Sequence, residues 1–292
     1  MAEQNKRIAI RDLAWLGRLD ASTIACAQTE RAIWAAWRGG QSAADEACNA
    51  VDTGLDDAAI TQWVRRAWMR QALTLACRPV SQIDDPQSIA SYACALHVPD
   101  PVDAFVWAQL APRVARLGMI RELDQCALRG LLGRLRAHPD LRLSLRLDGA
   151  SAALDSSWQP IFDELHAHPE AARRLTLELA ETAPLAVNVG RAFANRLRQA
   201  GCRIGIGAFG LHFGAHTARE IPYPDQITLD GTQWGAVGQD AQVDRRLAGL
   251  VALARESAPY VIVAGLPHDA ARRAAARAGV EWALDEGVTV LH

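Results

Sequence analysis

The sequence predicts an α/β protein built as a (β/α)8 TIM-like barrel, preceded by an N-terminal helical extension. Three observations lead to the barrel. From about residue 58 onward, short β-like runs alternate with helical patterns, and this order implies a mostly parallel sheet because parallel strands need crossover connections. About eight such strands fall within roughly 220 residues, near the lower size limit of a closed barrel. No G-x-G-x-x-G follows the first strand, so the usual mark of a doubly wound dinucleotide fold is missing.

Taken in order, residues 73–80 and 89–98 read as the first two strands. Residues 102–117 and 120–137 carry apolar side chains at helical spacing, with Gly118 between them as a stop signal. Residues 141–147 alternate Leu with Arg and Ser, the pattern of a strand with one face in water. A helix over 158–168 is ended by Pro169, and strand 174–179, helix 189–200 and strand 203–206 follow. A short helix at 213–220, strand 226–229, helix 241–256, strand 260–264, helix 269–278 and strand 281–284 complete the series. The start differs: 10–19, 23–37 and 42–51 are helical patterns separated by Asp20 and Gly39-Gly40. The chain thus divides into a helical extension, residues 1–56, and a barrel, residues 57–292.

Composition removes several classes of function. Half of the residues are hydrophobic and 22% are charged, the balance of an ordinary globular protein. A net charge of −2 offers no electrostatic footprint for nucleic acid. No apolar run approaches the roughly 18–20 residues of a membrane span, and the polar start lacks the apolar centre of a signal peptide, so a cytoplasmic protein without membrane insertion is expected. Of 31 basic residues all but Lys6 are Arg, so P-loops, Schiff bases and lysine-assisted metal hydrolysis have no candidate lysine in the body of the fold. The six Cys are scattered without a C-x-x-C pair, which argues against a zinc or thioredoxin-like site and suits buried, reduced thiols.

Seven segments, in order, resemble the EAL family, barrel phosphodiesterases of bacterial cyclic di-GMP signalling. Cys77-Arg78-Pro79-Val80 lies where that family has Q-P-I, and Cys94-Ala95-Leu96 where it has its Glu-Ala-Leu signature. Glu178-Leu179-Ala180-Glu181 is similar to the family's E-[ILV]-T-E, and Gly207-Ala208-Phe209-Gly210 to its D-D-F-G. Ile227-Thr228-Leu229-Asp230 resembles the I-K-I-D strand, Val263-Ala264-Gly265 the A-E-G of a late strand, and Glu286-Gly287 the closing Q-G.

The family's reaction needs two divalent cations on acidic and Asn ligands, which activate water and stabilise the leaving oxygen. Carried over residue by residue, the resemblance puts the signature Glu at Cys94, the ligand Asn at Arg146, the paired Asp at Gly207 and Ala208, the Lys at Thr228, the later Glu at Ala264 and the Gln at Glu286. Only the first Glu of the fourth segment survives, as Glu178. The resemblance therefore implies a degenerate, non-catalytic member with no metal or other cofactor, acting through a protein partner. Members that bind the nucleotide use the Q-P-I Gln and an Arg two places after the signature Leu, here Arg78 and Val98. Arg78 and Arg146 are thus the candidate phosphate contacts of an alternative, a metal-independent cyclic di-GMP receptor.

Other constellations carry less. Glu178 and Glu181 could form an acid–base pair, but with their family partners missing they read as a strand-end and a helix-start carboxylate. His212 and His216 have helical metal spacing, yet glycines interrupt the segment. Trp34, Trp37, Trp63 and Trp68 lie at or before the barrel's edge. They either seal the extension onto the barrel or present an interface to a partner or to a second copy in a homodimer; spacing alone leaves both open. Residues 43–54 are also similar to the closing helix of a diguanylate cyclase-type domain.

Overall fold

The computed structural model describes residues 74–97, 116–181, 185, 187–210, 214–229, 236–266, 268–284 and 289–291, together with residues 57, 58, 61, 62, 65 and 114. The extension 1–56, Trp34, Trp37, Trp63, Trp68, Val98, His212 and Glu286 lie outside the described residues.

Strand β1 (Thr74–Gln82) turns back into β2 (Ile89–His97), and the two pair antiparallel. Helix α1 (Ile120–Ala137) leads to β3 (Leu143–Leu147), and α2 (Gln159–Ala167) and α3 (Pro169–Ala172) lead to β4 (Leu175–Ala180). Helix α4 (Val189–Gln199), β5 (Arg203–Phe209), α5 (Gly214–Glu220) and β6 (Gln226–Leu229) follow. Then come α6 (Ala241–Ser257), β7 (Tyr260–Ala264), α7 (Asp269–Arg277) and β8 (Trp282–Leu284). Strands β2 to β8 run parallel in sequence order, and β1 closes the ring by pairing antiparallel with both β2 and β8. A further strand, β9 (Thr289–Leu291), pairs with β1 beyond β8 and has no counterpart in the sequence reading.

The packing follows from period-two alternation along each strand. On β3, Leu143, Leu145 and Leu147 join the large apolar layer between sheet and helices, while Ser144 and Arg146 face the barrel interior. All five residues are buried, so the expected solvent face of this strand does not exist. A closed barrel has no wet side, and alternating polar residues line its lumen instead. The outer layer is completed by helical stripes such as Leu123, Leu128, Leu131 and Leu135 of α1, at spacings of three, four and five residues. Trp158 and Phe193 meet edge-on at 4.8 Å between α2 and α4, and the Trp158 indole N–H donates to the Ser151 carbonyl at 3.0 Å. A small second cluster, Val80, Ile262, Ala264 and Leu284, fills the lumen with Ala93 and Trp282 against it.

One expectation about the cysteines is corrected. Cys77 and Cys94 are register partners across β1 and β2, with their Cα atoms 4.2 Å apart, and they form a disulfide. Two cysteines 17 residues apart carry no visible link in sequence, but a hairpin brings them face to face. Cys126 and Cys202 are free, and burial pushes the Cys202 thiol up to about 12.

Candidate functional site

The lumen between β3, β4, β5 and β6 collects the polar side chains of the barrel. Glu178 of β4 is 5% exposed and is the centre of this group. Its Oε1 accepts hydrogen bonds from Thr228 Oγ1 at 2.6 Å and from the Gln226 amide, both on β6. Its Oε2 lies 3.6 Å from Arg146 Nε on β3, the adjacent strand. Arg146 is itself 6% exposed, and its Nε and Nη1 have no hydrogen-bond partner among the described residues. The void among Ser144, Arg146, Glu178, Gln226 and Thr228 measures about 10 Å³, room for about one water molecule.

Gly207 of β5 explains how Arg146 fits. A Cβ added at Gly207 would stand 2.8 Å from Arg146 Nε and 3.0 Å from Glu178 Oε2. The guanidinium therefore occupies the space that a side chain at position 207 would need. The next residue, Ala208, is buried with φ of 55° in the left-handed region, at the register shift between β5 and β6. Arg146, Glu178, Gly207 and Thr228 thus share one level of the lumen, and Ala264 sits in the lumen within the apolar cluster on β7.

Cys94 also borders this void, but its β-partners belong to the other face of the sheet. It pairs with Leu145 on one side and Cys77 on the other, all in the outer apolar layer. The lumen-facing neighbour is Ala93, which pairs with Ser144 and Arg78. Arg78 is buried and stands two residues from Val80, so it shares the lumen side of β1. His216 Nε2 is within 2.9 Å of the Leu185 carbonyl, a structural tie rather than half of a metal pair. Gln226 was missed in sequence, although it stands two residues before Thr228 on one strand, the spacing that places both on one face.

The match to the EAL domain model spans residues 61–284, and the chain belongs to the EAL domain family. Comparison with curated protein sequences returns no match. The solved structures it resembles include the PaMucR phosphodiesterase in complex with cyclic di-GMP, at 19% identity and a TM-score of 0.67, covering 77% of this chain and 94% of that one. The FimX EAL domain from Pseudomonas aeruginosa, bound to cyclic di-GMP, aligns at 18% identity and 0.67, covering 79% and 96%. An EAL domain protein from Listeria monocytogenes aligns at 12% identity and 0.64, covering 77% and 90%. At these identities the likeness carries the barrel architecture.

The metal ions implied by the family do not suit this donor set. Mg²⁺ demands near-octahedral oxygen ligation and gives up its waters reluctantly. Here one carboxylate, already accepting from Gln226 and Thr228, shares its level with a fixed guanidinium charge. Among the described residues no group of three or more His, Cys, Asp or Glu is placed to hold a metal.

Proposed function

We propose that this chain is a non-hydrolytic EAL-type regulator that works through protein contacts. The observation that carries this reading is the internal neutralisation of Glu178 by Arg146, Gln226 and Thr228. A carboxylate that accepts from two protein donors and faces a fixed guanidinium neither collects a second cation nor activates a water. The partner surface is assigned to the helical extension, where Trp34 and Trp37 are rings suited to interface anchoring.

A second reading, a metal-independent receptor for cyclic di-GMP, draws on a different observation. Arg146 Nε and Nη1 are buried N–H donors without a hydrogen-bond acceptor among the described residues, and an anionic phosphate would satisfy them. Both the PaMucR and FimX structures hold this nucleotide. Calorimetry of the full chain with cyclic di-GMP, with and without Mg²⁺, separates the two. The contact regulator gives no binding heat in either condition, while its Trp34→Ala/Trp37→Ala variant loses a partner captured by the wild type. The receptor gives saturable heat that is insensitive to Mg²⁺. Binding that requires Mg²⁺ and proceeds to turnover contradicts both.

A further inference from the structure

At the end of the barrel where β3 to β8 begin, a larger cavity of about 330 Å³ opens, and it shares Val80, Gln226 and Ile262 with the small void beside Glu178. That volume lies within the range of small-molecule sites, about 300–1,000 Å³. Arg142 and Arg174 immediately precede β3 and β4, and Arg203 opens β5, so three neighbouring strands each bring an arginine to the cavity wall. Tyr260 opens β7 and Trp282 opens β8. In a ring of eight strands, β7 and β8 stand across the lumen from β3 and β4. The cavity is thus cationic on one wall and aromatic on the other.

The arginines are not equivalent. Arg174 is a fixed charge, because it donates to the carbonyls of Leu135, His138 and Leu141 at 2.6, 2.8 and 3.1 Å. Arg173, also in the wall, is paired with Glu170. Arg142 and Arg203 are exposed and make no ion pair or side-chain hydrogen bond among the described residues. Asp140 is the acidic residue of the lining and leaves the wall net positive. On the aromatic side, Tyr260 is exposed, and the Trp282 indole N–H is buried without an acceptor among the described residues.

We propose that this cavity binds a phosphate monoester bearing a planar ring, of the size of a nucleoside monophosphate. Arg142 and Arg203 take the phosphate, Arg174 adds a fixed positive field, and the ring lies against Tyr260 and Trp282 with the indole N–H donating to a ring acceptor. The site lies toward the strand starts and adjoins the Glu178 level through Gln226, and its ligand is distinct from the function proposed above.

The test is calorimetry of the full chain with GMP and with AMP, using guanosine and inorganic phosphate as partial probes. The expected result is saturable binding of at least one nucleotide, with each partial probe at least about tenfold weaker. Arg142→Ala and Arg203→Ala each weaken binding about tenfold without moving the melting temperature, since neither side chain holds the fold together. Trp282→Phe weakens the nucleotide and leaves the affinity for inorganic phosphate unchanged. Absence of saturable binding to both nucleotides overturns the proposal. So does affinity unchanged in the Arg142→Ala/Arg203→Ala double variant, or inorganic phosphate binding as tightly as the nucleotides.

Discussion

At the scale of single residues, Arg146 and Gly207 act as one unit. A side chain at 207 and a guanidinium at 146 compete for the same space beside Glu178. Gly207→Asp alone is expected to destabilise the barrel by about 2–3 kcal/mol through overpacking. In an Arg146→Asn background most of that cost disappears, giving a coupling of about 1–3 kcal/mol in a double-mutant cycle read by urea unfolding. Additive costs would show that the two side chains do not share space. Glu178→Gln removes the charge facing buried Arg146 and is expected to cost about 3–5 kcal/mol, the range for orphaning one partner of a buried pair.

Asp124 gives a separate expectation at the same scale. It is buried in α1, where its Oδ2 accepts from Ser151 Oγ at 2.6 Å and from the Asp148 N–H at 3.0 Å. Burial pushes its pKa up to about 8, and the Ser151 hydrogen bond offsets this only in part. The folded state therefore holds a proton that an unfolded chain releases near pH 4. The resulting stabilisation is fully present below about pH 4 and is lost as pH rises through about 8. Comparison of wild type with Asp124→Asn by urea unfolding should show this falling slope in the wild type alone. Equal pH slopes in the two proteins would mean that Asp124 ionises normally.

At the scale of elements, the strands and helices after residue 119 were largely legible, because apolar spacing switches between two and 3.6 residues at each boundary. What alternation could not show was the destination of the polar face. Ser144 and Arg146 alternate with leucines as on a wet strand, yet closure turns that face inward. Nor could it fix the register of β2, where a run of small residues (Ala93, Cys94, Ala95) gives no size contrast between faces. The arginine wall did leave a trace: Arg142, Arg174 and Arg203 each stand at the start of a successive strand, a repeat visible once the strands are aligned. The Cys77–Cys94 link ties β1 to β2 at the antiparallel seam. For a loop of this size its loss should cost about 3 kcal/mol. Reductant should therefore lower the urea midpoint of the wild type and leave Cys77→Ala/Cys94→Ala unchanged. A wild-type midpoint insensitive to reductant would show that the two thiols are not joined.

At the scale of the molecule, the barrel was readable because its motifs keep the family order. The spatial relation of Arg146 to Gly207 came only from closure of the ring. Among the described residues no helix is long and apolar enough to cross a membrane. In the barrel's polar centre Glu178 is engaged by protein groups, while the strand-start end offers cations and rings to solvent. The central claim is that this centre does no phosphodiester chemistry. The most direct measurement is incubation of the purified chain with cyclic di-GMP and Mn²⁺ or Mg²⁺, with the linear dinucleotide quantified by chromatography. The account predicts no product above the protein-free control with either metal. Product formation by the wild type that disappears in Glu178→Ala would contradict it.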